Sequence, residues 1–149
     1  NEIGAQDESS IVTTRDGASS PAYGISVSAR DYALFHQWIA QGKAPKSFYE
    51  SAMDPSKSLI QQASLGEVFT SYGHDVTYGS QTYYIAEHNI LYSFGSFGKL
   101  GFSDMDTGIV FVNQQDWVAN GEVDKLEDTI NRSVSIINAL RNTDRFDNL

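Results

Sequence analysis

Between Thr77 and Asn113 the sequence carries four β-prone runs joined by connections of only a few residues, and parallel strands cannot be joined that way. The runs are Thr77–Ile85, Ile90–Ser96, Lys99–Ser103 and Ile109–Asn113, rich in Tyr, Phe, Ile and Val, with Ala86–Asn89, Ser96–Gly98 and Met105–Gly108 between them. This pattern predicts an antiparallel sheet of about 3–5 strands. Such a sheet has to be covered, and the chain supplies the cover. Val123, Leu126, Ile130, Val134, Ile137 and Leu140 recur every three or four residues, with acidic residues early and Arg141 late, as the helix dipole favours. The spacing predicts a long amphipathic C-terminal helix over 121–142, packed on one face of the sheet.

Upstream, Ser28 stands where its side chain can cap a helix, and Asp31 falls in the first turn. Tyr32, Phe35, Trp38 and Ile39 then recur at helical spacing and predict the apolar face of a helix that stops before Gly42 and Pro45. A second, short helix is expected from Pro45 to Met53, closed by Asp54–Pro55. Residues 1–27 read as a loop-rich lead with one small strand at Ile11–Thr14. The whole is α+β and a single unit: 1–27 loop-rich, 28–66 helical, 67–113 strands, then the C-terminal helix.

Composition narrows the chemistry. There are 19 acidic and 10 basic residues, for a net charge of -9, which repels phosphate backbones and makes nucleic acid an unlooked-for partner. Without cysteine there is no disulfide, no thiolate metal site and no cysteine nucleophile. No apolar run approaches the roughly 20 residues that span a bilayer, so a soluble chain is expected, with cytoplasmic and extracytoplasmic locations both open. His36, His74 and His88 have no metal-ligand spacing and read as solvated or hydrogen-bonded histidines; no metal and no cofactor is expected. Asp104 and Asp106 flank a turn, where aspartate bonds the local backbone. The sequon Asn131–Arg132–Ser133 falls inside the predicted helix. In Phe94–Gly101 three glycines interrupt a strand region, which points either to a bulge or to close approach of a ligand or another backbone.

Several segments, in consistent order, resemble one family. Tyr23–Gly24–Ile25–Ser26–Val27–Ser28–Ala29–Arg30–Asp31–Tyr32–Ala33 is similar to the lead into a helix found in serine hydrolases of the β-lactamase and penicillin-binding-protein superfamily, above all the branch of 6-aminohexanoate-dimer hydrolases and related esterases. Ile3–Gly4–Ala5–Gln6–Asp7 resembles the segment before it. Tyr78–Ile85 resembles a strand of that branch in which paired tryptophans often stand in place of Tyr83 and Tyr84, and Tyr92–Gly101 with Ile109–Asn113 resembles its next two strands.

The resemblance implies two-step acyl transfer, in which the serine of a Ser-x-x-Lys motif attacks an ester or amide carbonyl and water then releases the acyl group. Such a serine needs an adjacent base and donors for the oxyanion. By order, the family's third motif falls on Phe94–Gly95–Ser96, with the Phe97 N–H on the oxyanion side and Gly98 completing the pocket edge; Tyr23 and Gly24 would be pocket-adjacent. Phe94 departs from the lysine or histidine of β-lactamases, and Ser96 from the family's glycine. The family's Ser-x-x-Lys and tyrosine motifs precede every segment matched here, and no Tyr-x-Asn occurs in the chain. Ser96–Phe97–Gly98–Lys99 spells Ser-x-x-Lys, but in a strand context rather than at a helix start.

Three readings follow. The chain is the C-terminal part of a serine hydrolase, acting on a small ester or amide with a complementary N-terminal chain or by self-association. Alternatively it is a non-catalytic binding or regulatory module that keeps the sheet. As a third reading, Ser96 and Lys99 form a self-sufficient site.

Overall fold

The computed structural model describes residues 10–11, 25–62, 75–95, 99–114 and 123–143. Two short strands, β1 (Ser10–Ile11) and β2 (Ile25–Ser26), pair antiparallel. Helices α1 (Ala29–Ala40) and α2 (Lys46–Met53) follow, then strands β3 (Val76–Gly79), β4 (Thr82–Ile85), β5 (Ile90–Gly95), β6 (Lys99–Asp104) and β7 (Val110–Gln114), and finally helix α3 (Val123–Arg141). The last five strands form one antiparallel sheet in sequential order, so the chain is α+β with the sheet between helices.

The helix ends follow the sequence. The Ser28 hydroxyl accepts the Asp31 N–H at 3.0 Å, satisfying a donor that the first turn leaves unpaired. Pro45 sits at the N-cap of α2, and Asp54, whose carboxylate accepts from the Ser56 N–H, opens a single 3-10 turn beyond it.

The strand expected over Thr77–Ile85 is a hairpin. Ser80 and Gln81 both adopt positive φ, 50° and 58°, forming a two-residue turn whose twist suits a tight hairpin. Neither residue is the Asn or Gly that usually announces such a turn. The adjacent Gly79 serves another purpose: a Cβ there would overlap the Ser51 carbonyl of α2, so glycine lets α2 lie directly on β3.

Alternation along the strands gives the sheet two unlike faces. Tyr78, Tyr83, Tyr92, Phe102 and Phe111 stand in register, one per strand, as a ladder with neighbouring ring centroids 4.5, 5.1, 5.6 and 6.2 Å apart. With Val76, Ile85, Ile90 and Leu100 they meet Ile130, Val134 and Ile137 of α3, as the helical periodicity predicts. The opposite face mixes small and polar residues, Thr77, Ser93, Gly101 and Ser103, with Tyr84, Leu91, Val110 and Val112. Leu91 packs with Ile39 and Ala52, while the Thr77 hydroxyl donates to the Ala52 carbonyl at 2.5 Å, fastening α2 to β3.

That difference corrects the expectation for α1. Its inward stripe is Tyr32, His36 and Ile39, whereas Phe35 and Trp38 are exposed and stack on each other at 6.3 Å. Beneath α1 lie Ser93, Gly101 and Ser103, which leave room and hydrogen-bonding groups for a phenol and an imidazole rather than a pocket for indole.

Candidate functional site

The site expected from the sequence lies at one end of the sheet, where β5 finishes and β6 begins. Phe94 pairs with Leu100 and Gly95 with Lys99, and Lys99 in turn faces Gln114 of β7. Ser96, Phe97 and Gly98 lie outside the described residues, as do Tyr23 and Gly24. Lys99 opens a strand, not a helix, so the described backbone does not place it as the lysine of a helix-borne Ser-x-x-Lys pair. Phe94 is half-buried and packs against the core under α3, so its ring belongs to the aromatic face.

The first turn of α1 meets β5 one residue before Phe94. Burial raises the Tyr32 pKa, and the Ser93 side chain close to its phenol partly opposes the rise. Tyr32 and Ser93, distant in sequence, thereby lie side by side, while α1 packs mainly over β6 and β7.

Deeper under α1, His36 is fully buried. Its Nδ1 lies 2.8 Å from the Ser103 hydroxyl, which donates to the His36 carbonyl at 2.9 Å. With that hydroxyl proton committed to the carbonyl, Nδ1 carries the ring proton and Nε2 is a bare acceptor. Nε2 has no hydrogen-bond partner and rests against Gly101, where any Cβ would collide with the ring. Burial pushes the imidazole pKa down to about 4, so it is neutral near pH 7. The hydrogen-bonded reading of His36 holds. His88 sits 3.0 Å from Glu87, and His74 lies outside the described residues.

At the opposite end of the sheet, Asp104 makes the expected turn contacts, accepting from the Asp106 N–H at 3.0 Å and the Thr107 hydroxyl at 2.5 Å. It also does what its position in sequence did not announce. Fully buried, it receives Arg141 of α3 at 2.6 and 2.7 Å, while Arg141 also donates to the His88 carbonyl at 2.7 Å. Burial drives the Asp104 pKa up, but Arg141, Thr107 and the Asp106 N–H together hold it below the ordinary carboxylate value. Sequence reasoning placed Arg141 only as a cation suited to a helix end; its partner was visible only once the fold brought residue 104 beneath it.

Beside this pair an open groove of about 990 Å³ runs between α1, the β6–β7 turn and the end of α3, with Arg30, Leu34, Gln37, Val110, Leu140 and Arg141 on its walls. Among the described residues no cluster of His, Asp and Glu is arranged to hold a metal ion. No described helix is long and apolar enough to cross a membrane. Comparison of the chain with protein families, with curated proteins and with solved structures returns no match.

Proposed function

We propose that this chain is the C-terminal part of a serine hydrolase of the β-lactamase and penicillin-binding-protein type, nearest its esterase-like branch, acting on small esters or amides through an acyl-enzyme. The observation that supports this reading is the proximity of Tyr32 and Ser93. Two segments that carry the resemblance, the helix opened by Ser-Ala-Arg-Asp and the strand ending in Phe94–Gly95, meet at Tyr32 and Ser93. In this account the chain contributes the pocket edge at Gly95–Gly98 and the Phe97 N–H as an oxyanion donor.

The nucleophile comes from a polypeptide segment bearing Ser-x-x-Lys at a helix start. Its serine oxygen bonds to the carbonyl carbon as the bond to the alcohol or amine leaving group breaks, and the serine proton passes through the lysine and its tyrosine partner to that group. Water then splits the acyl-enzyme and returns a proton to the serine.

The test is hydrolysis of short-chain p-nitrophenyl esters by this chain co-purified with the segment bearing Ser-x-x-Lys. A burst of nitrophenol followed by slower turnover is expected from the pair and not from the chain alone. A pair without a burst, or equal turnover by the chain alone, contradicts the proposal.

A further inference from the structure

The two edges of the sheet are finished differently. On β3, the Tyr78 N–H donates to the Ser58 hydroxyl at 3.0 Å, and the Tyr78 carbonyl accepts from the Leu59 N–H at 2.8 Å, so the segment after α2 caps that edge. On β7 no strand pairs with the outer side among the described residues. The Asp104 N–H bonds to the Ile109 carbonyl, which sets the alternation of the ladder: residues 109, 111 and 113 face β6, and the N–H and carbonyl groups of Val110, Val112 and Gln114 face outward.

Natural edges are usually protected by a charge, a proline, a bulge or a covering segment. Ile109–Val110–Phe111–Val112–Asn113–Gln114 has neither charge nor proline nor glycine, and its valines and phenylalanine are only half-buried. Outward backbone groups accept an extended strand rather than a helix or a small molecule. Apolar residues on both faces of β7, Val110 and Val112 on the α1 side and Phe111 against the aromatic face, call for a strand that is itself apolar on both faces.

We infer that β7 pairs with β7 of a second copy, antiparallel about a two-fold axis near Val112, to form one continuous sheet. The chain supplies the required strand chemistry in β7 itself, and a two-fold contact uses the same patch twice. Charge agrees. The chain carries -9 overall, so a second copy is repelled by most of its surface, yet β7 is uncharged and no carboxylate lines the groove beside it, where Arg141 is already paired with Asp104. The two-fold pairing sets that groove against the Asn113–Gln114 end of the other strand, not against its own arginines. The inference stands on the edge geometry and is independent of the hydrolase proposal.

Sedimentation equilibrium of the full chain is the test, with far-UV circular dichroism as the check on folding. The wild type is expected at twice the 16.4 kDa of one chain. Val112→Pro removes an outward N–H, a position where an edge strand tolerates proline, and is expected to be a folded monomer. Gln114→Pro, at the exposed end of the strand, weakens the dimer by about tenfold or more while Gln114→Ala, which keeps the N–H, does not. A monomeric wild type, an open-ended series of oligomers, or a dimer equally stable in folded Val112→Pro and Gln114→Pro overturns the inference.

Discussion

Arg141, at the last turn of α3, clasps the fully buried carboxylate of Asp104 at 2.6 and 2.7 Å, and so ties the covering helix to the far end of β6. Removing one partner of such a pair leaves the other charge buried without compensation. Arg141→Met is therefore expected to cost about 3 kcal/mol or more, read as a lower midpoint in urea unfolding. Because Asp104 titrates below an unfolded carboxylate, its contribution is present above the unfolded pKa and is lost as pH falls through the folded value. Arg141→Met should flatten that most acidic part of the stability profile.

His36 governs a separate pH window. Its folded pKa of about 4 lies below the ordinary 6.5, so between these values the unfolded chain binds the proton more readily. Stability is full above pH 6.5, falls as pH drops toward 4, and flattens below, a loss of about 3 kcal/mol. His36→Phe, which keeps a buried ring and the carbonyl bonded by Ser103, is expected to abolish the slope between pH 6.5 and 4. Denaturant titrations across that range provide the check; an unchanged slope contradicts the assignment.

Gly101 is fixed by the same imidazole. Gly101→Ala drives a methyl into the His36 ring and is expected to destabilise by about 1–3 kcal/mol, typical of an overfilled core. His36→Ala opens the space, so the double variant should be more stable than the two single losses predict. Strict additivity in this cycle would show that the two positions do not meet.

The aromatic ladder predicts the largest loss from a single truncation. Phe102, fully buried, stacks on Tyr92 and meets Phe111 at a tilt, so Phe102→Ala is expected to cost about 3–5 kcal/mol. Thermal or urea unfolding measures it, and a loss under about 1 kcal/mol, less than the burial of a phenylalanine side chain alone is worth, would contradict a packed ladder at this position.

Helix lengths and strand sites were legible because each follows from local chemistry: the Ser28 cap, the Asp54–Pro55 stop, and the recurrence of Ile130, Val134 and Ile137. What was hidden depended on partners distant in the chain. The Ser80–Gln81 turn uses residues that rarely adopt positive φ, and the nearby Gly79 answers to Ser51 rather than to the turn. The inward face of α1 was misread because hydrophobicity alone favours Phe35 and Trp38, while the sheet beneath offers Ser93, Gly101 and Ser103, which suit Tyr32 and His36. The same holds at the candidate site. The strand end at Phe94–Gly95 and the sheet pairing of Lys99 are readable from sequence, but the approach of Tyr32 to Ser93 is not.

The central claim is that this chain shapes an acyl-transfer pocket without holding the nucleophile. Treating the active assembly with a fluorophosphonate and locating the adduct by peptide mass spectrometry tests it most directly. The account predicts a single labelled serine, within a Ser-x-x-Lys sequence outside Asn1–Leu149, and no adduct on Ser96. An adduct on Ser96, or no labelled serine in an assembly that hydrolyses esters, would contradict it.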